Sequence, residues 1–261
     1  MPMAKLELAD GEISADQIRP GDPYELSEGH LVYCAPSGSD SGRGVIAAAL
    51  SLDTDPDVES SGAEVGFTPS QHTLRAPDLA IGGVPDQPGW VSGAPPIAIE
   101  YAGRGQHEQD LRKKIEEFLD AGSKYVWVVR LVKDRRVEVH EKGRPKVTKR
   151  PGQDLDAPGV LRNPVPVEAL FDRSVAHDVA LRNLLQRHGY DSLENVREEG
   201  REEGREEAQA QAILAVLEAR GIEVSEEEKQ RISATRSPGT LYRWIRDAVR
   251  VSSSAELIDR T

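Results

Sequence analysis

Apolar residues occur in short runs over the first two thirds of the chain, and this pattern predicts β-strands separated by turns. Residues 24–35, YELSEGHLVYCA, predict a hairpin with a turn near Gly29. The run YVWVVRLV is nearly all apolar, which is typical of a strand buried on both faces of a sheet. The other predicted strands are Asp78 to Ile81, Ile97 to Tyr101, the strand Tyr125 to Val132 that contains this run, and an edge meander of Val137 to His140 and Lys146 to Thr148.

Two helices are predicted among these strands. Residues 44–52 predict a short one. The segment QHEQDLRKKIEEFLDAG, between the strands that begin at residues 97 and 125, predicts a longer one with a C-cap glycine at Gly122. Its apolar positions at helical spacing are Leu111, Ile115, Phe118 and Leu119. The order strand, strand, helix, strand, strand predicts a mixed α/β sheet.

The last third of the sequence has a different character, because valine-rich strands give way to stretches rich in Glu, Arg, Ala and Leu. It contains the repeat REEG-REEG-REEA, then a helix that Gly221 is expected to end and another that Ser225 begins as a capping box with Glu228. A last helix is predicted around LYRWIRDAV. We therefore predict a core domain of residues 1–173 and an α-helical region of residues 174–261.

Composition limits the classes of function. The net charge of −12 argues against a generally basic surface that coats nucleic acid. No apolar run approaches the roughly 20 residues of a membrane span, and the first residues, MPMAKLELADGE, lack the apolar stretch of a signal peptide. Cys34 has no cysteine partner and the histidines lack metal-like spacing, so neither a disulfide nor a zinc site is predicted. We expect a soluble, cytoplasmic protein with no membrane partner.

The charge is unevenly distributed along the chain. From Arg130 to Arg150 there are nine Lys or Arg residues against three acidic ones. Such an excess on an acidic chain indicates a polyanionic partner, although a solvated hairpin with ordinary surface charges explains it as well. The candidate nucleic-acid-binding residues are Arg135, Arg136, Lys142 and Arg144.

Asp78 and Glu100 are the candidate metal-binding carboxylates. Hydrolysis of a phosphodiester needs a metal that polarises the phosphate and lowers the pKa of the attacking water, and Mg²⁺ prefers oxygen ligands. Strand alternation points Glu100 to the same side as Ala98 and Ala102, which leaves room for a ligand. Taken alone, an aspartate in a turn and a glutamate at a strand end more often have a structural role.

A lysine completes such a site by orienting the water or by stabilising charge in the transition state. At about 100° per residue, Lys114 lies at the border of the buried face of its helix, whereas Lys113 lies on the opposite side. Lys114 is therefore expected to reach the sheet. Asp110, one turn earlier, is expected to support the ammonium or to form a simple i, i+4 pair with it. Taken alone, Lys114 is better explained as a lysine whose aliphatic stem flanks the core and whose ammonium reaches solvent.

Combined, these motifs resemble the Uma2 family of PD-(D/E)XK nucleases. The matching features are YELSEG at 24–29, PD at 77–78, the apolar strand ending in Glu100, D-x-x-x-K-x-x-x-aromatic through Asp110, Lys114 and Phe118, Gly122, and YVWVV. The resemblance covers about residues 20–175 and implies a restriction-endonuclease-like fold. It also implies Mg²⁺- or Mn²⁺-dependent cleavage of DNA. In that interpretation Asp78, Glu100 and the main-chain carbonyl of Tyr101 bind the metal, and Lys114 is a catalytic lysine that has migrated to the helix.

Two positions depart from the family pattern. His30 stands where an acid usually follows the glycine, and AGRG at 102–105 stands where a serine-containing loop is usual. These departures leave open a catalytically degenerate fold that only binds nucleic acid. A second alternative is a protein-interaction module whose working part is the charged helical region.

The tetrapeptide repeat also predicts self-association. Four residues advance a helix by about 400°, so the repeat aligns rows of Arg, Glu and small residues. The small row comprises Gly200, Gly204 and Ala208. A second copy could approach this row closely and place Arg rows against Glu rows, with Ile213, Leu214 and Leu217 continuing the contact. We therefore expect a homodimer through residues 194–218, and a solvated connector is the alternative.

Overall fold

The computed structural model describes residues 12–103 and 107–259. The chain divides into two compact units, Met1–Gly189 and Tyr190–Thr261. Helices of the first unit are α1 (Ser39–Asp53), α2 (Glu108–Asp120) and α3 (Arg173–Arg187). Its strands are β1 (Tyr24–Ser27), β2 (His30–Tyr33), β3 (Ser61–Gly62), β4 (Phe67–Ser70), β5 (Thr73–Arg75), β6 (Leu79–Ile81), β7 (Val91–Ser92), β8 (Ile97–Ala102), β9 (Tyr125–Arg130), β10 (Arg136–His140), β11 (Val147–Lys149), β12 (Asp154–Leu155) and β13 (Val165–Pro166). Within the described ranges, no helix is long and apolar enough to cross a membrane.

The main sheet of the first unit is mixed and has the strand order β11-β10-β9-β8-β6-β3. β8 and β9 are parallel, and α2 connects them. Parallel neighbours need a long crossover of this kind, which a tight turn cannot provide. β6 pairs with the other edge of β8 and is antiparallel to it. The mixed α/β class predicted from the sequence is confirmed.

Both faces of the central strands are buried, as the apolar run at 125–132 predicts. Ile99 and Trp127 pack on the face shared with α1 and α3. Ala98 and Val128 pack on the opposite face, which the apolar side of α2 covers. The strand alternation therefore turns Glu100, two residues after Ala98, toward the α2 side of the sheet.

A second sheet contains the N-terminal hairpin and has the strand order β2-β1-β5-β4-β7. The hairpin predicted at residues 24–35 is confirmed, with Ser27 paired to His30. Between them, Glu28 and Gly29 have φ values of 47° and 79°. Two consecutive positive φ angles define the tight turn whose twist matches that of a hairpin, and this explains the glycine.

The last helix of the first unit, α3, lies against the main sheet and α1. Val179 of α3 joins the core cluster of the sheet, and Asn183 donates to the carbonyl oxygen of Ser51 in α1 at 3.0 Å. The boundary predicted between residues 173 and 174 is therefore corrected to lie between residues 189 and 190. The composition of the sequence led to the wrong boundary, because α3 is helical like the region that follows it. Its packing on the main sheet nevertheless makes α3 part of the first unit.

The second unit consists of helices around their own apolar core. They are α4 (Leu193–Ala219), α5 (Glu226–Ser233), α6 (Pro238–Ala248) and α7 (Ser254–Asp259). The capping box of Ser225 with Glu228 is confirmed, and Gly221 lies just past α4 with a φ of 70°. Ile213 and Leu217 are fully buried in this unit's core. They cannot continue a contact with a second copy, so this part of the predicted dimer interface is wrong.

Candidate active site

Asp78 and Glu100 lie at one corner of the main sheet. Leu79 of β6 is opposite Ile99 of β8, so Asp78, just before β6, falls beside the part of β8 that carries Glu100. The Asp78 carboxylate accepts the main-chain N–H of Tyr101 at 2.5 Å. This hydrogen bond ties Asp78 to the strand of the second carboxylate. The sequence-predicted pair is thus brought together by the register of two antiparallel strands.

Lys114 reaches this corner from α2. Its Nζ lies 2.8 Å from Glu100 Oε1 and 2.9 Å from Glu25 Oε1. It also donates to the carbonyl oxygen of Ala76 at 2.8 Å. The ammonium is therefore held by groups from β8, from β1 and from the segment that leads to Asp78.

The neighbouring polar residues of α2 have other surroundings. Lys113 forms an exposed ion pair with Glu28, in the turn of the N-terminal hairpin, at 2.6 Å. Asp110 lines the pocket beside the carboxylates. The expected ion pair between the described residues Asp110 and Lys114 is not formed, because the Lys114 ammonium pairs with Glu100 and Glu25 instead.

Glu25 is a buried carboxylate that the sequence analysis did not assign to the site. Besides Lys114, it accepts from Arg75 Nη1 at 2.9 Å and from the main-chain N–H of Ala76 at 3.2 Å. Arg75 in turn pairs with Glu117 of α2. The sequence signal that could have identified Glu25 is a glutamate within the predicted strand YELS. A carboxylate buried in a strand needs a charged or hydrogen-bonding partner.

These side chains line a pocket of about 540 Å³. That volume lies within the range of small-molecule sites and is enough for a phosphodiester group with water. Glu64, between β3 and β4, also lines it, and so does His107 just before α2. His30, where the sequence departs from the family pattern, is exposed and is not among the described residues that line the pocket. Arg104 and Gly105 of the AGRG loop lie outside the described residues.

Negative charge exceeds positive charge around this pocket. Five carboxylates line it, against the two cations Arg75 and Lys114; they belong to Glu25, Glu64, Asp78, Glu100 and Asp110. Burial raises the pKa of Glu100 to about 8 even though Lys114 opposes the shift. Burial also raises the pKa of Asp78, against the hydrogen bond from Tyr101. Both carboxylates therefore lack part of the positive charge that their ionised forms need, and a divalent cation would supply it.

Lys114 keeps its charge in this setting. Burial by itself lowers the pKa of an ammonium, but the attraction of Glu100 and then of Glu25 raises the pKa of Lys114 well above its ordinary value. Burial by itself would raise the pKa of Glu25, but the charges and hydrogen bonds of Lys114 and Arg75 outweigh burial and lower that pKa. The site thus contains a permanently charged ammonium beside two carboxylates, Asp78 and Glu100, whose negative charge would be only partly neutralised.

The donor set fits a hard divalent cation that retains part of its water shell. Asp78 and Glu100 offer carboxylate oxygens, and Tyr101 is the next residue whose main-chain carbonyl could join them. In residues 12–103 and 107–259, no group of three or more His, Cys, Asp or Glu side chains is arranged to hold a metal alone. A bound ion would therefore complete its coordination shell with a carbonyl oxygen and water molecules. Mg²⁺ in proteins usually retains several water ligands in this way.

One part of the predicted basic segment lies at the pocket end of the main sheet. Ala102, the last residue of β8, is opposite Arg130 of β9, and Arg130 is opposite Arg136 of β10. Arg136, the first residue of β10, and Arg135 just before it therefore lie at the same end of the sheet as Glu100. Arg136 pairs with Glu138 at 3.2 Å, and the Arg135 guanidinium lies 5.0 Å from the centre of the Phe171 ring.

The other part lies at the opposite end. β10 runs away from the pocket for about 13 Å, at the usual rise of a strand, before the loop that carries Lys142 and Arg144. Lys142 pairs with Asp120 at 3.0 Å and Arg144 with Glu141 at 2.7 Å. The predicted segment is thus split between two ends of the sheet, and part of its charge is compensated within the fold.

Comparison with solved structures defines the class of fold. The chain aligns with a crystal structure from Anabaena variabilis, described as a "putative nuclease belonging to DUF820", with a TM-score of 0.51 and 18% identity. The alignment covers 63% of this chain and 99% of that chain. At this identity the likeness shows the fold, which is that of a restriction-endonuclease-like α/β protein.

The family follows from the sequence. The Uma2 family, described as "Putative restriction endonuclease", matches residues 4–165. The chain belongs to this family, and the resemblance drawn from its motifs is confirmed. No curated protein matches the chain. Asp78, Glu100 and Lys114 all lie within the matched residues.

Proposed function

We propose that this chain is a divalent-metal-dependent endonuclease that hydrolyses phosphodiester bonds of DNA. The observation that carries the proposal is the convergence on one pocket of Asp78 from just before β6, Glu100 from β8 and Lys114 from α2. The description of the family as a restriction endonuclease supports the same reaction. The excess of carboxylates over cations in the pocket supports the need for a metal.

In this proposal Asp78 and Glu100, with the main-chain carbonyl of Tyr101, hold Mg²⁺ or Mn²⁺. When bound, the cation polarises the phosphate and lowers the pKa of the attacking water. The N–H that Lys114 directs at Glu100 would become free to position this water once Glu100 holds the cation, and the ammonium charge would stabilise the negative charge that develops on the phosphate. Glu25 keeps the ammonium aimed into the pocket. Lys114 and Glu25 therefore supply a preorganised positive charge and its support.

DNA as the substrate, the homodimeric state and the cytoplasmic setting belong to the same proposal. The family description supports the substrate. The N-terminal half of α4 supports the dimer, because a Cβ added at Gly200 or Gly204 would meet no described atom within 4 Å. That surface is free to receive a second helix. The cytoplasmic setting rests on the sequence features alone.

Single-turnover cleavage by the full-length chain tests the enzymatic proposal. A supercoiled plasmid and a matched RNA are incubated with Mg²⁺, with Mn²⁺ or with EDTA. Cleavage of the plasmid is expected only with metal, and Asp78→Ala should abolish it. DNA binding without cleavage under every metal condition would overturn the proposal in favour of a degenerate, nucleic-acid-binding fold. Preference for the RNA would overturn the assignment of DNA.

A further inference from the structure

One face of α6 in the second unit is basic and exposed. Leu241, Trp244 and Ala248 bury the opposite face in the helical core. At about 100° per residue, the exposed positions fall within about 120° of the helix circumference. They are Tyr242, Arg243, Arg246 and Val249, and the αR conformation of Val249 continues the face to Arg250.

The three arginines of this face make no side-chain hydrogen bond or ion pair with any described residue. Other arginines of the unit are used by the fold. Arg220, for example, donates to the carbonyl oxygens of Ala248 and Val251 at 2.7 and 2.6 Å. Asp247 lies at the border of the α6 face but forms no ion pair with the arginines that flank it. The guanidinium groups of α6 are therefore free for an external partner.

Two exposed apolar side chains lie beside these charges, along one edge of the same face. Tyr242 is 61% exposed and Val249 is 56% exposed. Large apolar side chains grouped on a surface commonly mark a contact site, and Tyr and Arg are enriched in such sites. Neither the charge nor the apolar surface has a function in the packing of α6. The combination is that of an interaction surface.

We propose that this face of α6, with Arg243, Arg246 and Arg250, binds the phosphodiester backbone of nucleic acid. The proposal rests on the proposed nuclease function and adds an anchoring surface outside the cleavage pocket. Charge complementarity carries it, because guanidinium groups pair with phosphate in two-point hydrogen bonds and release counterions when they do so. On a chain of net charge −12, such an anchor would offset the general repulsion of a polyanion.

An acidic protein segment is the competing partner, and the REEG repeat of a second copy is the nearest example. Its charges are partly satisfied within α4, where Arg197 lies 3.5 Å from Glu194 and Arg205 lies 3.9 Å from Glu202. A phosphodiester backbone has no such internal compensation. The observations therefore favour nucleic acid, and the experiment distinguishes the two.

The test measures binding of the full-length chain to a short fluorescent DNA duplex in EDTA, by anisotropy at several salt concentrations. EDTA prevents metal-dependent cleavage, so the result does not depend on the proposed catalytic site. The combined variant Arg243→Gln, Arg246→Gln and Arg250→Gln should bind at least about tenfold more weakly. The slope of log affinity against log salt should fall by about 2 to 3, as expected for three lost phosphate contacts.

A triple variant in and just after α5, Lys229→Gln, Arg231→Gln and Arg236→Gln, is the matched control, because it removes the same charge from exposed positions of the same unit outside both the α6 face and the proposed dimer contact. It should retain the wild-type affinity and slope. Equal losses in both triple variants would assign the effect to net charge and overturn the inference. Unchanged binding in the α6 variant would overturn it as well, even if metal-dependent cleavage is intact. So would sedimentation showing that the α6 variant loses self-association rather than DNA binding.

Discussion

Glu25 Oε1 lies 2.9 Å from Lys114 Nζ, and this ion pair joins the first strand of the N-terminal hairpin to α2. Both side chains are buried, with 9% and 13% of their surface exposed. Glu25 also pairs with Arg75, so a single carboxylate balances two buried cations. The position of Lys114 in the pocket therefore depends on Glu25 as much as on Glu100.

The variant Glu25→Gln tests this dependence. It keeps the shape of the side chain but leaves Arg75 and Lys114 short of one negative charge. Loss of one partner from a buried ion pair typically lowers the free energy of unfolding by about 3 kcal/mol or more. Urea denaturation should show this loss, and single-turnover cleavage should be slower at a temperature where the variant is folded. Wild-type stability together with wild-type cleavage would show that Lys114 does not need Glu25.

The two neighbouring lysines of α2 should differ sharply in catalysis. Lys114→Ala removes the ammonium from the pocket and should slow cleavage by about two orders of magnitude, the scale seen when one preorganised charge-stabilising group is lost. Lys113→Ala removes only an exposed ion pair and should cleave at nearly the wild-type rate. Single-turnover rates at saturating enzyme make the comparison. Similar losses in both variants at unchanged stability would contradict the role given to Lys114.

Metal binding should depend on the two carboxylates of the sheet corner. Asp78→Ala and Glu100→Ala should each abolish the heat of Mn²⁺ binding in calorimetry, because each removes one of two charged ligands. In the wild type, Mn²⁺ at about 100 times its Kd should add about 2.7 kcal/mol to the free energy of unfolding. Lys113→Ala serves as the control and should bind the ion normally. Unaltered Mn²⁺ affinity in both carboxylate variants would place the metal elsewhere.

The elements that carry the site were predictable because their patterns are local. Ile97 to Tyr101 alternates between two faces, and α2 has apolar residues at helical spacing followed by Gly122, whose φ is 111°. In contrast, β3, β7, β12 and β13 contain only two residues each, too few for any periodicity to show. Their pairing depends on strands elsewhere in the chain, so none of them was predicted. In the second sheet β7 is one of these short strands, and β4 and β5 have only four and three residues, so only its hairpin was predicted.

Part of the site was predictable and part was not, for a related reason. The helical geometry that directs Lys114 rather than Lys113 toward the sheet depends only on residues of α2. The network of Glu25 and Arg75 depends on residues 50 positions apart, and only the register of β1 against β5 brings them together. A pair that far apart in the chain leaves no trace in local spacing. The same limitation hid the division of the basic segment between two ends of the main sheet.

That division leads to a prediction for DNA binding. Arg135→Gln with Arg136→Gln should weaken binding and lower its salt dependence, because these residues lie at the pocket end of the sheet. Lys142→Gln with Arg144→Gln removes the same charge from the opposite end and should have little effect. Anisotropy titrations in EDTA at several salt concentrations compare the pairs. An equal effect of both pairs would favour a general influence of net charge over a located contact.

The last prediction concerns pairing of α4 with a second copy of itself. The first half of α4 is exposed, and it includes Leu193 and Val196, which are 47% and 36% exposed. Gly200 and Gly204 each cost about 1 kcal/mol of helix stability relative to alanine, and exposed i, i+3 ion pairs recover only part of this. An exposed helix with these two glycine penalties would gain stability from a second helix packed closely along Gly200 and Gly204. Because Ile213 and Leu217 are buried in the second unit's own core, this pairing would be confined to the first half of α4.

Two double variants separate pairing from simple helix stability. Gly200→Leu with Gly204→Leu fills the small-residue row, so it should prevent close approach and yield a monomer in sedimentation velocity. Gly200→Ala with Gly204→Ala keeps the row small while removing the glycine penalty, so it should remain dimeric and become more helical by circular dichroism. In a lone helix, both variants would only raise helicity and neither would change the sedimentation coefficient. A wild-type chain that sediments as a monomer at micromolar concentration would rule out the dimer and leave the first half of α4 as a solvated connector.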